Sequence, residues 1–234
     1  MNITFKRNII NCMFFFITIS TFSQITQQYS GISQIPEYSR MGGATTKNNI
    51  GSENLNSVEA KVYLYPTYNN AAVISTTTNR RYSISNINLN IYSNNFDSEM
   101  STDSLYVFDN KWLKSVVINN TTYKVYFDLV ESDYKIYQVI HENDKFSLLR
   151  LDKILSKEIR DPLNINPPKI SFGKGINYYV KNGSEITKIS LRKKPILELL
   201  KDNRNMVMAY AKKYKLSFNK EKDLEKIFKY YSRL

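Results

Sequence analysis

Cysteine, histidine and glycine are scarce in this 234-residue chain, which contains one, one and seven of them respectively. The cysteine, Cys12, lies in an N-terminal apolar segment, so the remaining sequence offers no disulfide, thiolate nucleophile or cysteine-ligated metal site. The single histidine, His141, excludes a two-histidine metal centre. No glycine-rich phosphate loop and no Gly-x-Ser-x-Gly pattern occur. These absences exclude the commonest active sites, and we expect no cofactor and no metal.

The N-terminus resembles a secretory signal peptide. Lys6 and Arg7 precede an uncharged, mostly apolar run over residues 9–19, and the small residues Thr21 and Ser23 follow it. The run is shorter than the roughly 20 apolar residues that span a membrane, so we expect cleavage rather than retention as an anchor. The sequence therefore predicts a signal peptide over residues 1–23. It predicts an exported protein that is periplasmic, associated with the cell envelope or secreted.

Acidic residues are scarce at the other end of the chain. Residues 192–234 contain 13 Lys and Arg against 5 Asp and Glu, whereas the formal charge of the whole chain is +12. Most of the positive charge therefore lies in the last fifth of the sequence. A basic segment of an exported protein favours lipid headgroups or acidic polymers as partners, and nucleic acid is not expected.

Period-two patterns predict a β domain over residues 52–191, after a polar and flexible leader over residues 24–51. In Asn86–Ile91, aliphatic residues alternate with asparagines, as in a strand with one buried face. Asn119-Asn120 and Asn182-Gly183 each predict a two-residue hairpin turn. Further strands are predicted at 61–65, 71–77, 105–108, 112–118, 123–130, 134–140, 146–151, 176–181 and 184–191. We expect a crossing loop over 156–168, where the prolines lie.

After Pro195 the apolar period changes to 3.6 and predicts two amphipathic helices. A shorter helical turn is predicted over 196–201. The fold class is therefore α+β and mainly β: an antiparallel meander sheet, or a half-barrel, with two C-terminal helices of residues 192–234 packed on it.

The basic C-terminal segment offers the most specific binding hypothesis. Its lysines lie off the apolar stripes, where they are placed to contact a polyanion or an anionic membrane. The alternative is that they are only the solvated faces of helices packed on the sheet. The predicted binding residues are Lys212, Lys213, Lys215, Lys222, Lys226 and Lys229.

Three other hypotheses remain open. The acidic residues around His141 and in the preceding hairpin turn, residues 128–133, would bind calcium if the two turns converged. A sheet face with Tyr123, Tyr134 and Tyr137 would stack on sugar rings. A hydrolase that uses only carboxylates would have two acidic groups roughly 5 to 10 Å apart in one cleft.

Four segments of the sequence are distinctive when taken together: Phe22-Ser23-Gln24, Asn88-Leu89-Asn90-Ile91-Tyr92, Tyr178-Tyr179-Val180-Lys181-Asn182-Gly183 and the closing helix from Asp223-Leu224 to Tyr230-Tyr231. With them, the chain resembles small exported proteins of Bacteroidota that have no assigned activity. The resemblance implies an envelope location and a β-rich body, and it implies no active-site residue. Asp103-Ser104-Leu105 resembles the O-glycosylation acceptor of exported proteins in these bacteria, so Ser104 is a predicted modification site. We expect a non-enzymatic binding or structural protein of the envelope.

Overall fold

Two open antiparallel sheets and three C-terminal helices make up the part of the chain that the structure, a computed structural model, describes. The described residues are 42–47, 62–101, 104–159 and 169–234. The predicted α+β, mainly β fold class is confirmed. The predicted signal peptide lies outside the described residues.

The strands divide into a smaller and a larger sheet. The smaller sheet has the order β1-β6-β5-β4, and the larger sheet has the order β12-β11-β10-β9-β8-β7-β2-β3. The strands are β1 (Gly43–Lys47), β2 (Ala72–Thr76), β3 (Arg81–Ile84), β4 (Ile87–Asn90), β5 (Asn95–Ser101), β6 (Ser104–Phe108), β7 (Leu113–Ile118), β8 (Thr121–Asp128), β9 (Asp133–Glu142), β10 (Ser147–Ile159), β11 (Lys169–Asn182) and β12 (Glu185–Ile189).

Three helices follow the last strand: α1 (Lys193–Leu199), α2 (Arg204–Lys213) and α3 (Glu221–Tyr231). The two predicted amphipathic helices correspond to α2 and α3. The predicted helical turn over 196–201 overlaps α1 at residues 196–199. The helix begins earlier, at Lys193, and Pro195 is tolerated in its first turn, where the missing N–H is not needed.

The two cores of the protein lie on the same face of the larger sheet. Strand β10 shows this arrangement, because residues two apart in a strand point to the same face. Leu148 lies in the core under the helices, Ile154 packs against the core under the smaller sheet, and Arg150 and Asp152 lie between them. A polar pair therefore separates the two cores along one strand.

The first core is formed between the smaller sheet and one half of the larger sheet. It includes Ile74, Phe96, Phe108 and Ile118, each fully buried. The second core lies between the helices and the other half, and it includes Leu148, Val180, Ile196, Leu224 and Phe228.

Both hairpins that were predicted from their turn residues are confirmed. Asn119 (φ 47°) and Asn120 (φ 65°) join β7 to β8, with both central residues in the left-handed region that this turn requires. The β11–β12 turn is shifted by one residue: Asn182 pairs with Glu185, and Gly183 (φ 57°) is the first central residue. Only this position has a positive φ, as in a type II′ turn.

Of the predicted strand over residues 61–65, the described part, residues 62–65, does not form a strand. Tyr63 makes only an isolated bridge to Asn90, and two backbone hydrogen bonds connect the segment to residues 89 and 91. The side chain of Asn88 bonds to both the N–H and the C=O of Tyr65, which takes the place of a continuous ladder.

Several element boundaries also differ from the prediction. Within the predicted leader, Gly43–Lys47 forms β1 and pairs with β6 along its whole length, and the leader residues other than 42–47 lie outside the described residues. Strands β3 and β5 were not predicted. The predicted crossing loop is shorter, since β10 continues to Ile159 and β11 begins at Lys169.

Candidate functional site

All six predicted binding lysines are exposed on or beside α2 and α3. Among the described residues, none of the six takes part in an ion pair, whereas the five ion pairs that do occur involve other cations. The six lysines are Lys212, Lys213, Lys215, Lys222, Lys226 and Lys229.

Three of these lysines form a stripe along α3. Lys222, Lys226 and Lys229 are spaced by four and three residues, which places them on one side of a helix. The buried side of the same helix carries Leu224 and Phe228, both fully buried. The sequence of α3 thus separates an apolar stripe that binds the sheet from a basic stripe that faces solvent.

Stacked tyrosine rings connect this stripe to α2. The rings of Tyr210 and Tyr230 are parallel, with centroids 4.0 Å apart, and Tyr214 packs on Tyr210 at 4.7 Å. The Lys213 ammonium lies 5.3 Å from the centre of the Tyr214 ring. Lys226 precedes Tyr230 by one helical turn. We call the surface formed by Lys213, Tyr214, Tyr210, Tyr230, Lys222, Lys226 and Lys229 the basic face.

Three acidic residues of the same region have polar partners elsewhere in the protein. Asp202 pairs with Lys145 at 2.9 Å, and Glu221 accepts a hydrogen bond from the Tyr178 hydroxyl at 2.8 Å. Asp223 accepts one from the backbone N–H of Ser217 at 3.0 Å. Three of the five carboxylates of residues 192–234 therefore have a partner, although the Asp202 side chain remains 53% exposed.

A second basic feature, the lysine pocket, lies beside α2. It is a pocket of about 330 Å³ whose charged groups are Lys193, Lys212 and Lys215. Its apolar lining is formed by Met208, Ala211, Leu216 and Phe218. The structure thus brings together two of the predicted lysines and one, Lys193, that was not predicted.

The position of Lys215 is set by the end of α2. Its φ of 53° is left-handed, its N–H bonds to the C=O of Lys212, and the next N–H, of Leu216, bonds to the C=O of Ala211 at 2.8 Å. This pair of bonds is the Schellman motif, in which glycine is the usual left-handed residue. A lysine here accepts an unfavourable backbone conformation.

A polar cluster between the two cores attaches α3 to the sheet. Arg150 makes two hydrogen bonds to Asp152, at 2.6 and 3.0 Å, and lies 3.4 Å from the Glu221 carboxylate. Burial, together with the hydrogen bond to Glu221, raises the pKa of Tyr178 to about 12, so it remains a donor. Because one guanidinium occupies both carboxylates, the cluster holds α3 in place and gives no support to the hydrolase alternative.

Another buried carboxyl, Asp97 of β5, is only partly satisfied. It accepts hydrogen bonds from Tyr63 at 3.2 Å and from Asn90 at 3.5 Å, both on Oδ2. Within the described residues, its Oδ1 has no partner, and neither has the buried hydroxyl of Tyr68. Burial raises the pKa of Asp97 to about 6.

The calcium hypothesis is wrong because the two turns do not converge. Residues 129–132 and 143–146 are at opposite ends of β9, whose ten residues span about 30 Å. His141 packs against Phe228 with ring centroids 5.1 Å apart, and its half-buried position lowers the pKa of the imidazole. In the described part of the chain, no group of three or more metal-ligating side chains occurs.

The predicted tyrosine face is wrong as well. Tyr123 pairs with Gln138, so it points to the face opposite to Tyr137, and only 2% and 0% of the two residues are exposed. Neither ring is available to a sugar. Ser104, the predicted modification site, is half-buried at the start of β6 and pairs with Ser101, and its modification remains a prediction.

Two kinds of signal were overlooked in the sequence. The Arg-x-Asp spacing of Arg150 and Asp152 places both side chains on one face of any strand, which indicates a possible pair. Lys193 opens a helix within a run of three basic residues, but its approach to Lys212 depends on how the helices fold back on each other.

No family model, curated protein or solved structure matches this chain. Among the described residues, every helix is too short or too polar to cross a membrane.

Proposed function

We propose that this protein is a non-enzymatic, exported binding protein of the cell envelope and that its basic face attaches it to an anionic lipid surface. The observation that carries the proposal is the separation of charge in the C-terminal helices. Among the described residues, the stripe of Lys222, Lys226 and Lys229 faces solvent without paired acids, while Asp202 pairs with Lys145 of the β9–β10 turn and Glu221 with Arg150 and Tyr178 of the sheet.

The tyrosines of the basic face favour a lipid surface over a soluble polyanion. Tyrosine and lysine both have an apolar body and a polar end, and they are enriched where a protein meets the headgroup region. Tyr214 is 53% exposed, and its ring already carries the Lys213 ammonium. Electrostatic attraction brings the lysines to the headgroups, and the rings then add apolar contact.

The expected strength follows from the charge count. A lysine near an anionic leaflet contributes about 1 kcal/mol, so the three lysines of α3 contribute about 3 kcal/mol, or roughly a hundredfold in affinity. Because these charges are exposed, salt should weaken the binding steeply.

Co-sedimentation with lipid vesicles tests the proposal. We expect the protein to bind vesicles that contain phosphatidylglycerol at low salt, to be released at high salt, and not to bind vesicles of pure phosphatidylcholine. The triple variant Lys222→Gln, Lys226→Gln and Lys229→Gln should bind about a hundredfold more weakly.

A second triple variant controls for net charge. Lys111, Lys157 and Lys188 are exposed lysines on the strand-rich part of the molecule, and Lys188 lies on the face of the sheet opposite to the helices. Their replacement by glutamine removes the same charge and should leave most of the binding intact. Equal losses in the two triple variants would contradict a specific basic face, and tighter binding to polygalacturonate than to vesicles would indicate an acidic polymer instead.

A further inference from the structure

We infer that the lysine pocket is a binding site for a phosphomonoester that carries an apolar group, and that it selects such a headgroup on the lipid surface. This inference rests on the proposed function and adds a ligand class to it. It is carried by the two kinds of side chain that line one pocket, three lysines and four apolar residues.

The charge of the pocket favours a dianion. Its three charged groups are all lysines, no carboxylate lines it, and none of the three takes part in an ion pair among the described residues. A phosphomonoester has a charge of about −1.5 to −2 at neutral pH, whereas a phosphodiester or a sulfate ester has a charge of −1. Lysine binds phosphate as a mobile point charge with three donors, so lysines that line one pocket are suited to it.

Part of the apolar lining of the pocket belongs to the core under the helices. Ala211 and Phe218 are 3% and 8% exposed and belong to the core under the helices, so this surface is formed before a ligand arrives. Met208 adds a side chain that adapts its shape. A volume of about 330 Å³ is at the lower end of the range for small-molecule sites, which suits a headgroup and the apolar atoms next to it.

The backbone of Lys215 supplies an independent reason to regard the pocket as functional. A glycine would suit its left-handed position at the end of α2 better than a lysine. Residues in unfavourable backbone conformations are often found at binding sites, where the side chain is required.

Titration of the protein with small amphiphiles tests the inference directly. We expect hexyl phosphate to bind at least about tenfold more tightly than inorganic phosphate, which lacks the apolar group, and than hexyl sulfate, which has only one charge. The triple variant Lys193→Gln, Lys212→Gln and Lys215→Gln should lose this binding. The triple variant of Lys111, Lys157 and Lys188 should retain it. Calorimetry gives the affinities, and circular dichroism checks that each variant is folded.

Vesicles separate this inference from the proposed function. At equal total charge, vesicles with phosphatidic acid, a phosphomonoester lipid, should bind more tightly than vesicles with phosphatidylglycerol, and the pocket variant should remove this preference. Salt-sensitive binding to phosphatidylglycerol without a preference for hexyl phosphate over hexyl sulfate would overturn the inference and leave the basic face supported. Tight binding of hexyl phosphate without any binding to vesicles would overturn the proposed function and make the ligand a soluble phosphomonoester.

Discussion

The two halves of the larger sheet are covered on the same face but differ in how they treat polar groups. Around the smaller sheet, polar side chains such as Asn88, Asp97 and Asn110 are buried, and some of their atoms have no partner among the described residues. Asn88 and Asp97 pair on the face of the smaller sheet that points away from the first core and towards residues 62–70. Under the helices, the buried side chains are apolar, and the charged groups lie at the margins or outside. The half with the smaller sheet (the first half) therefore contains buried polar side chains, whereas the half with the helices (the second half) has its charged side chains at the surface.

This difference arises because one half of the larger sheet is covered by strands and the other half by helices. The β4 edge and residues 62–70 meet irregularly, so their free backbone groups need buried amides such as Asn88 and Asn70 as partners. Helices satisfy their own backbone, so their inner faces can be fully apolar and their outer faces are free to carry charge. The helical half is therefore the better place for a binding surface.

The largest expected effect on stability comes from removing one large buried side chain from either core. Phe96 and Phe228 are both fully buried, one in each core, with neighbouring rings 5.6 Å and 5.1 Å away. Replacement of either residue by alanine should cost about 3–5 kcal/mol of unfolding free energy. Because β9 and β10 contribute side chains to both cores, we expect one common transition in chemical denaturation. Two separate transitions, each moved by only one of the substitutions, would show that the halves unfold independently.

The second effect concerns the buried carboxyl of the first half. Asp97 binds its proton more tightly in the folded protein, with a pKa raised to about 6 from 3.8, so the folded state holds more protons between these values. Stability therefore falls as the pH rises from about 4 to 7, the reverse of a salt-bridged carboxylate. Asp97→Asn removes the buried charge and should stabilise the protein by about 1–3 kcal/mol at pH 7.

Denaturation curves at several pH values check this prediction. The Asp97→Asn variant should show a smaller loss of stability between pH 4 and 7 than the unchanged protein. Asp144→Asn, at an exposed position in the β9–β10 turn, is the matched control and should leave the profile unchanged. A variant of Asp97 that is less stable than the unchanged protein at pH 7 would show that the carboxylate has a compensating partner.

The smallest effect tests the lysine pocket of the second half. Lys215→Gly relieves the left-handed backbone and should raise the stability by about 0.5–1 kcal/mol, equivalent to an increase in Tm of a few degrees. The same substitution at Lys213, in the last turn of α2, should lower the stability by a similar amount. A higher Tm for Lys215→Gly and a lower Tm for Lys213→Gly, together with weaker hexyl phosphate binding by Lys215→Gly, would confirm that Lys215 destabilises the protein but is needed for binding. A destabilised Lys215→Gly variant would contradict it.

The elements that the sequence predicted correctly have strong local signals. Strand β4 alternates aliphatic residues with asparagines, the β7–β8 turn has two asparagines that tolerate a positive φ, and α3 has an uninterrupted 3.6-residue period. Strands β3 and β5 lack such signals, because β5 buries Asp97 and Ser98 next to Phe96 and so does not alternate in polarity. The prediction over residues 61–65 was wrong for the opposite reason. The pattern of these residues suits a strand, but the backbone groups of Tyr65 bond to the side chain of Asn88 instead of to a neighbouring strand.

The candidate site also has one part that was predictable from the sequence and one part that was not. The basic stripe of α3 was predictable, because spacings of three and four within one helix fix which residues share a side. The lysine pocket was not, because Lys193 and Lys212 belong to different helices and meet only through the packing of α1 and α2 on the sheet. The pairing of Asp202 and Glu221 was also hidden, since their partners Lys145 and Arg150 are more than fifty residues away.

By itself, the sequence determined the β-rich fold class, most of the strands, the amphipathic C-terminal helices and the position of the positive charge, because each depends on the spacing of residues within one element. Only the tertiary structure decided that the strands form two sheets, that both covers share one face of the larger sheet, that Asp97 is buried and that three lysines surround one pocket. These features depend on which distant segments pack together, and local spacing does not encode that choice.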